Sequence, residues 1–358
     1  MNILRKSLYS FVDDICFAID RQRDYYRDKH FISELDLPVL TKWERAEIKR
    51  IWPCFKFRDI DFIWMRIYKA EHGFDPYYLC DHQYAKLLRI VNNRIRIKSL
   101  VNKALYDIYM PHIPWPKVYL RRINGYYYDH EMKLINNVIE AIEILHQYNK
   151  FVIKAATDSG GGRGVQQINL EQEQVDLQAL LLAYKGDIVV QAIIDQCDEL
   201  KCFNPTSVNT CRITTIFMGN KSSYSAIFKV GRKNSKIDNW NSSFLLGVKE
   251  NGRLTDFGYD VNLKKVYKSD VGIEFHGKLI PQFEEMVHLT QKYHAFYFPG
   301  TAIVGWDITV QKDGTPVVIE ANLDFPGILG EQLCSGTFFK VFRDEICTIM
   351  TENKKKFS

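Results

Sequence analysis

GWDITVQKDGTPVVIEAN, Gly305 to Asn322, is the stretch whose reading decides the fold. Two apolar runs flank Lys312-Asp313-Gly314-Thr315. Asp-Gly is a strong two-residue turn signal, because Gly accepts a positive φ and Asp tolerates one. A hairpin closed there pairs Lys312 with Thr315 and Gln311 with Pro316. It carries Asp307 opposite Glu320 and Gly305 opposite Asn322. Side chains alternate along a strand, so Asp307, Glu320 and Asn322 share one face, and Ile308, Val310, Val317 and Ile319 share the other. Like charges directly opposite each other repel. Two such carboxylates must be neutralised, share a proton or bind a cation, unless they simply face solvent. The donors are all oxygen, which suits magnesium and not zinc. Magnesium keeps several waters and is commonly completed by substrate phosphates, so the hairpin predicts a nucleotide polyphosphate.

The rest of the chain supplies groups for phosphate. DSGGGRG, Asp158 to Gly164, fits neither GxxxxGK[ST] nor GxGxxG. It joins two expected strands, FVIKAA and VQQINL, where a P-loop would lead into a helix. It reads as a flexible β-flap whose backbone N–H groups can close over phosphates, with Arg163 adding a contact. Alone it reads better as a plain surface hairpin. Lys154 lies in the strand before the flap and is either exposed or aimed at an anion. Lys103 precedes the proline-rich PHIPWPKVYLRR, which starts at Pro111, and Arg212 and Lys229 lie in expected strands. Singly, each is an exposed charge; together with the acidic hairpin they point to a phosphate site.

The chain has 358 residues, 46% hydrophobic and 25% charged, which is ordinary for a globular protein. A net charge of +5 does not argue for nucleic acid and suits a handler of small anions. No run of about eighteen uncharged apolar residues suggests a membrane span. Asp13 and Asp14 interrupt the N-terminal apolar stretch, which argues against a signal peptide. Eight cysteines lie scattered without a CxxC pair, and the closest group is Cys197, Cys202 and Cys211. They read as reduced thiols, which implies a cytoplasmic setting.

The organisation expected is α+β. Residues 1–75 form a helical N-terminal region, in which Thr41 and Glu44 make a capping box. The next segment is 76–150: residues 76–110 continue helical and become basic, PHIPWPKVYLRR breaks the helix, and YYYDHEMKLINNVIEAIEILHQYNK reads as another helix. Residues 151–195 form the glycine-flap subdomain, with a helix ending at Gly186. Residues 196–350 carry the metal site, and 351–358 are a basic tail. An Asn251-Gly252 turn and a helix opening near Pro281 fall in the fourth segment.

These residues together resemble an ATP-grasp protein. VIKAATDSGGGRGV, DIVVQAII, SVNTCRITT, GWDITV and VIEAN appear in that order. SVNTCRITT, VGRKNSKIDNW and GWDITVQKDGTPVVIEANLDFPG are similar to the sugar-transfer-associated ATP-grasp group, over roughly residues 75–335. The resemblance implies an ATP-grasp fold of two α+β subdomains gripping ATP. It makes Lys103 and Lys154 phosphate lysines, and Gly160, Gly161, Gly162, Arg163 and Gly164 the covering loop. Gln191 and Ile193 become the adenine hinge, and Asp198 approaches the ribose. Asp307, Glu320 and Asn322 hold Mg2+, with Mn2+ as a substitute. Arg212 steadies the transferred phosphoryl group, with Lys229 in support. Ala155 replaces an expected proline, and NWNSSFLLG replaces an expected Gly-Gly.

The activity implied is an ATP- and magnesium-dependent carboxylate–amine ligase working through an acyl-phosphate. Its substrates are small acids and amines, sugar-linked in a surface-polysaccharide or capsule setting. Peripheral association with a membrane or a glycosyltransferase is the partnership implied. Two alternatives stay open: a kinase on the same scaffold with His276 or Asp260 as base, and a non-catalytic nucleotide-binding module.

Overall fold

The structure is a computed structural model that describes residues 35–92, 97–157, 164–233, 235 and 242–355. The N-terminal 34 residues, Arg94, Arg96, the flap residues Asp158 to Arg163, most of the segment 234–241 and the last three residues lie outside the described residues. The chain divides into two compact units, residues 1–90 with 336–358, and residues 91–335.

The smaller unit is helical. It holds α1 (Lys42–Ile51), α2 (Ile63–His72), most of α3 (Asp81–Val91) and α10 (Arg343–Lys355). The capping box at α1 forms as expected: the Thr41 hydroxyl accepts from Glu44 N at 3.1 Å, and Glu44 accepts from Thr41 N at 2.7 Å. The Glu44 carboxylate also meets Lys69 of α2 at 2.7 Å. Trp52, Tyr68, Tyr84, Phe339 and Phe342 are fully buried and make the core of this unit.

The larger unit contains two antiparallel sheets. The first has six strands in the order β3-β2-β1-β6-β4-β5. These are β1 (Val118–Ile123), β2 (Tyr126–Asp129), β3 (Leu134–Ile135), β4 (Lys150–Ala155), β5 (Gln166–Asn169) and β6 (Ile188–Gln191). The short α4 (Tyr106–Tyr109) precedes it, and α5 (Val138–Leu145) and α6 (Leu177–Ala183) pack with it around Leu120, Phe151, Ile153, Ile188 and Val190. After α7 (Asp198–Lys201) comes the second sheet, seven strands in the order β11-β10-β9-β8-β7-β12-β13. Its strands are β7 (Thr210–Met218), β8 (Lys221–Gly231), β9 (Ser243–Val248), β10 (Leu254–Tyr259), β11 (Lys265–Val266), β12 (Ile303–Val310) and β13 (Pro316–Asn322). The helix α8 (Phe283–Tyr297) packs on β7 and β12, and α9 (Leu329–Ser335) packs on β8 and β9.

Three expectations need correction. The long helix from Tyr126 is two strands and a short helix. Asn124 and Gly125 both have positive φ, 50° and 86°, and make the tight turn that pairs Ile123 with Tyr126. Helix begins only at Val138, where the Asn137 side chain caps Ile139 N and Glu140 N. The helix expected to end at Gly186 ends at Ala183. The Arg122 guanidinium binds the carbonyls of Leu181, Tyr184 and Gly186 there and satisfies the helix end without a glycine cap.

The third correction concerns the opening hairpin. Gln311 N donates to Thr315 O at 2.9 Å and Gly314 N to Gln311 O at 2.9 Å. The loop is therefore Lys312-Asp313-Gly314, with Gly314 at φ 85°, and not the two-residue Asp-Gly turn. That shifts the register by one, so Val310 pairs with Pro316, Thr309 with Val317 and Ile308 with Val318. A bulge between Asp307 and Ile308 then restores the expected pairs, Asp307 with Glu320 and Gly305 with Asn322.

Asn92 fixes the start of this hairpin. Its side chain donates to Ile303 O at 2.6 Å and Leu323 O at 2.8 Å, and accepts from Ala302 N and Ile303 N. It is buried, so Asn92→Ala leaves several backbone groups without partners. Urea denaturation of this variant is expected to show a loss of about 2–3 kcal/mol.

Candidate active site

The seven-stranded sheet has an apolar face and a charged one. On one side Ile213, Phe228, Ala226, Trp306 and Ile308 join the main core. On the other, register sets Arg212 of β7 beside Asp307 of β12, and Asp307 beside Glu320 of β13. The next row is Thr214, Gly305 and Asn322. A side chain at Gly305 would meet Pro326 Cβ at 2.9 Å, so glycine there makes room for the proline, while Arg212 Cδ at 3.5 Å would be in ordinary contact.

The carboxylates do not face each other unneutralised. Arg212 grips Asp307 with two parallel bonds, Nε to Oδ1 and Nη2 to Oδ2, both 2.8 Å. Lys229 Nζ of β8 lies 2.8 Å from Asp307 Oδ1. Asn322 Nδ2 donates to Asp307 Oδ2 and to Gly305 O, both at 3.2 Å. Burial alone would raise the Asp307 pKa, but Arg212 and Lys229 overcome it and hold the carboxyl well below its usual range. Burial likewise opposes the Arg212 charge, and Asp307 reverses that and holds the guanidinium firmly charged.

Two lysines reach this face from the six-stranded sheet side. Lys103 lies in a 3₁₀ turn, Lys103–Leu105, tied to the end of β4 by Lys103 N donating to Ala156 O at 2.9 Å. Its Nζ is 3.0 Å from Glu320 Oε1. Lys154 of β4 is buried, with its charge coupled to Glu320 and Lys103. Burial, first, and the neighbouring Lys103 bring its pKa down to about 8, while Glu320 partly offsets them. The expectation that Lys154 is either exposed or aimed at an anion thus resolves to a buried cation.

Glu331 of α9 has no counterpart in the sequence reading. Buried above the charged face, it accepts from Thr214 Oγ1 at 3.0 Å. Burial raises its pKa, and Arg212 partly counters that. The signal was present: an acid in the apolar turn ILGEQL just beyond ANLDFPG. Tyr106 was also missed. Its hydroxyl donates to Ala321 O at 3.2 Å and its ring lies 4.6 Å from that of Trp115.

The other expected positions are more dispersed. Gln191 ends β6, with its side-chain amide donating to Pro116 O at 3.4 Å, and Ile193 is half-buried just beyond. Asp198 is exposed at the start of α7. Gly164 has φ 73°, and its carbonyl accepts from Tyr184 Oη at 2.8 Å; Gly160, Gly161, Gly162 and Arg163 lie outside the described residues. His276 is exposed and paired with Asp256 at 2.9 Å, and the Asp260 carboxylate accepts from Asn262 N and Lys264 N in a turn.

Four cations, Lys103, Lys154, Arg212 and Lys229, thus meet three carboxylates, one of them pushed toward its neutral form. The surplus is positive, so the cluster is built to receive an anion.

In solved structures the chain is similar to D-alanine-D-alanine ligase from Helicobacter pylori, at 15% identity over 69% of this chain and 57% of that one, with a TM-score of 0.40. It is also similar to D-cycloserine synthetase DcsG (13% identity, 76% of this chain and 80% of that chain, TM-score 0.43). A third is the ATP-grasp ligase PsnB complexed with minimal precursor (11%, 71% and 62%, TM-score 0.39). The chain thus spans 57% of the length of the Helicobacter pylori ligase. No curated protein matches it in sequence. A family model for sugar-transfer associated ATP-grasp proteins matches residues 82–341, from α3 through the hairpin to the 3₁₀ turn before α10. With that match running through every charged residue of the cluster, the chain belongs to the sugar-transfer associated ATP-grasp family.

Proposed function

We propose that the chain is an ATP-dependent ligase that joins a carboxylate to an amine through an acyl-phosphate. The observation that carries this is the pairing of Arg212 and Lys229 with Asp307, and of Lys103 with Glu320, beside the buried Lys154. Arg212, Lys229 and Lys103 are each held in place by a carboxylate oxygen that phosphate oxygens can replace, so the site is preorganised for a polyanion.

The oxygen donors fit a hard cation. Among the described residues no group of three or more His, Cys, Asp or Glu side chains could hold a metal. A cation here would therefore rest on two carboxylates and the Asn322 amide oxygen, leaving room for water and phosphate, as magnesium prefers. Glu320 is the more exposed carboxylate, at 27% against 10% for Asp307. Asp307 has both oxygens engaged and becomes a donor when Arg212 and Lys229 turn to phosphate. When bound, Mg2+ supplies neutralising charge to the β- and γ-phosphate oxygens.

Lys103 and Lys154 then hold the nucleotide phosphates, the flap from Gly160 to Gly164 with Arg163 covers them, and Gln191, Ile193 and Asp198 serve adenine and ribose. A substrate carboxylate attacks the γ-phosphorus and ADP leaves. Arg212 and Lys229 stabilise the charge spread over the transferred group. The amine attacks the acyl carbon and phosphate leaves. The family's association with sugar transfer supports a sugar-linked acid or amine, and we extend this to a surface-polysaccharide product. The two bases expected on the kinase reading are engaged in local contacts, His276 with Asp256 and Asp260 with Asn262 N and Lys264 N. The test mixes ATP, magnesium and acid–amine pairs and follows ADP and phosphate. Nucleotide binding without ADP release for any pair sinks the ligase reading, and a stable phosphorylated product with no free phosphate means a kinase.

Lys154 gives the site a pH signature. Its pKa of about 8 in the empty protein rises when a polyanion binds, so binding takes up a proton above that pH. Nucleotide affinity is full below pH 8 and is lost as pH climbs through that value. Titration calorimetry in two buffers of different ionisation enthalpy is expected to show net proton uptake at about pH 9 and little at about pH 7. Equal uptake at both would assign the burial of Lys154 another role.

A further inference from the structure

The helical unit is assembled from two distant pieces of chain, residues 1–90 and 336–358. Two cysteines meet where these pieces pack. Cys54 Sγ, just beyond α1, lies 3.2 Å from Cys347 Sγ on α10, 293 positions away in sequence. Cys54 is buried and Cys347 half-buried, so an attacking small molecule reaches Cys347 first. Arg343, one turn earlier on the same helix, donates Nε to Ile51 O at 2.8 Å, which brings its guanidinium to the α1 end where Cys54 sits. The same guanidinium donates Nη1 to Asp344 Oδ1 at 2.7 Å. The five other described cysteines are set differently. Burial pushes the Cys80, Cys197 and Cys211 thiols up, and Cys202 and Cys334 donate to the carbonyls of Glu199 and Leu245.

We propose that Cys54 and Cys347 are a reversible redox pair whose disulfide clamps the two chain pieces of the helical unit together. The oxidant is a low-molecular-weight disulfide such as oxidised glutathione. The Cys347 thiolate attacks one of its sulfurs, the S–S bond breaks, and one thiol departs. The Cys54 thiolate then attacks the Cys347 sulfur of the mixed disulfide and expels the second thiol. The protein loses two electrons, and the protons of its two thiols leave on the two departing thiols. The clamp closes a very long loop, so it restricts the unfolded chain strongly.

The test uses the full chain under native conditions in glutathione buffers of increasing oxidised fraction, quenched with acid, alkylated and mapped by mass spectrometry. A Cys54–Cys347 linked peptide is expected to accumulate and to disappear with dithiothreitol. The thermal midpoint of the oxidised protein is expected to rise by several degrees. In Cys54→Ser, Cys347 is expected to stop as the glutathione mixed disulfide; in Cys347→Ser, neither product forms at Cys54. Cys54→Ala serves the same purpose should serine disturb the buried site. Wild-type protein that stops at glutathionylated Cys347 overturns the proposal, as do links among other cysteines or no reaction before unfolding. An oxidised protein that melts where the reduced one does removes the clamp.

Discussion

Asp307→Ala is expected to cost about 3–5 kcal/mol of stability and to reduce ATP-dependent product formation by about 10³-fold or more. Both effects have one origin. Asp307 is the shared partner of Arg212 and Lys229, and its removal leaves two cations near each other in a poorly solvated wall. Breaking a buried pair by deleting one partner is costly because the remaining charge is stranded. The same deletion lets Arg212 wander from the position in which it would meet the transferred phosphoryl group. Asp307→Asn separates the two roles. It keeps the shape and some hydrogen bonding but lacks the charge to anchor Arg212 and Lys229 or to hold a divalent cation. Circular dichroism at low temperature gives the folded fraction, and ADP release is measured on that fraction. A folded Asp307→Asn protein with turnover within about tenfold of wild type would reduce Asp307 to a structural counterion.

Lys154→Met is expected to act in opposite directions on stability and on binding. The empty protein pays to keep an ammonium group buried, which is why its pKa falls to about 8. Methionine fills a similar volume without that cost, so the nucleotide-free variant is expected to be more stable than wild type by about 1–3 kcal/mol. Nucleotide affinity is expected to fall about 10–100-fold, the worth of one charge-assisted bond to phosphate. Thermal melts without nucleotide and fluorescence titrations with it read the two quantities separately. A variant less stable than wild type when empty would mean that Lys154 serves packing, and the phosphate role would lose its support.

The local signals were read correctly where they depend on a few adjacent residues. Thr41 and Glu44 cap α1 because both partners lie within one turn. Lys103, Arg212, Lys229, Asp307, Glu320 and Asn322 were singled out by residue type, and the fold gathers them on one face or beside it. The hairpin is more instructive. Its loop has three residues where two were expected, and a bulge at Ile319 adds a compensating residue. Side-chain alternation has a period of two, so two single-residue shifts restore the parity. The pairing of Asp307 with Glu320 came out right although the turn that was to set it did not.

What the sequence alone determined about this protein is the chemistry available: oxygen donors on one strand pair, cations on its neighbours, and a family pattern that orders them. Only the tertiary structure decided how these charges are spent. The acidic face is neutralised by Arg212, Lys229 and Lys103, with Glu331 of α9 placed over Thr214. Partner choice across strands depends on register, and the pKa of Lys154 depends on how much water burial removes. Both are set by contacts between residues far apart in the chain, which local pattern does not encode.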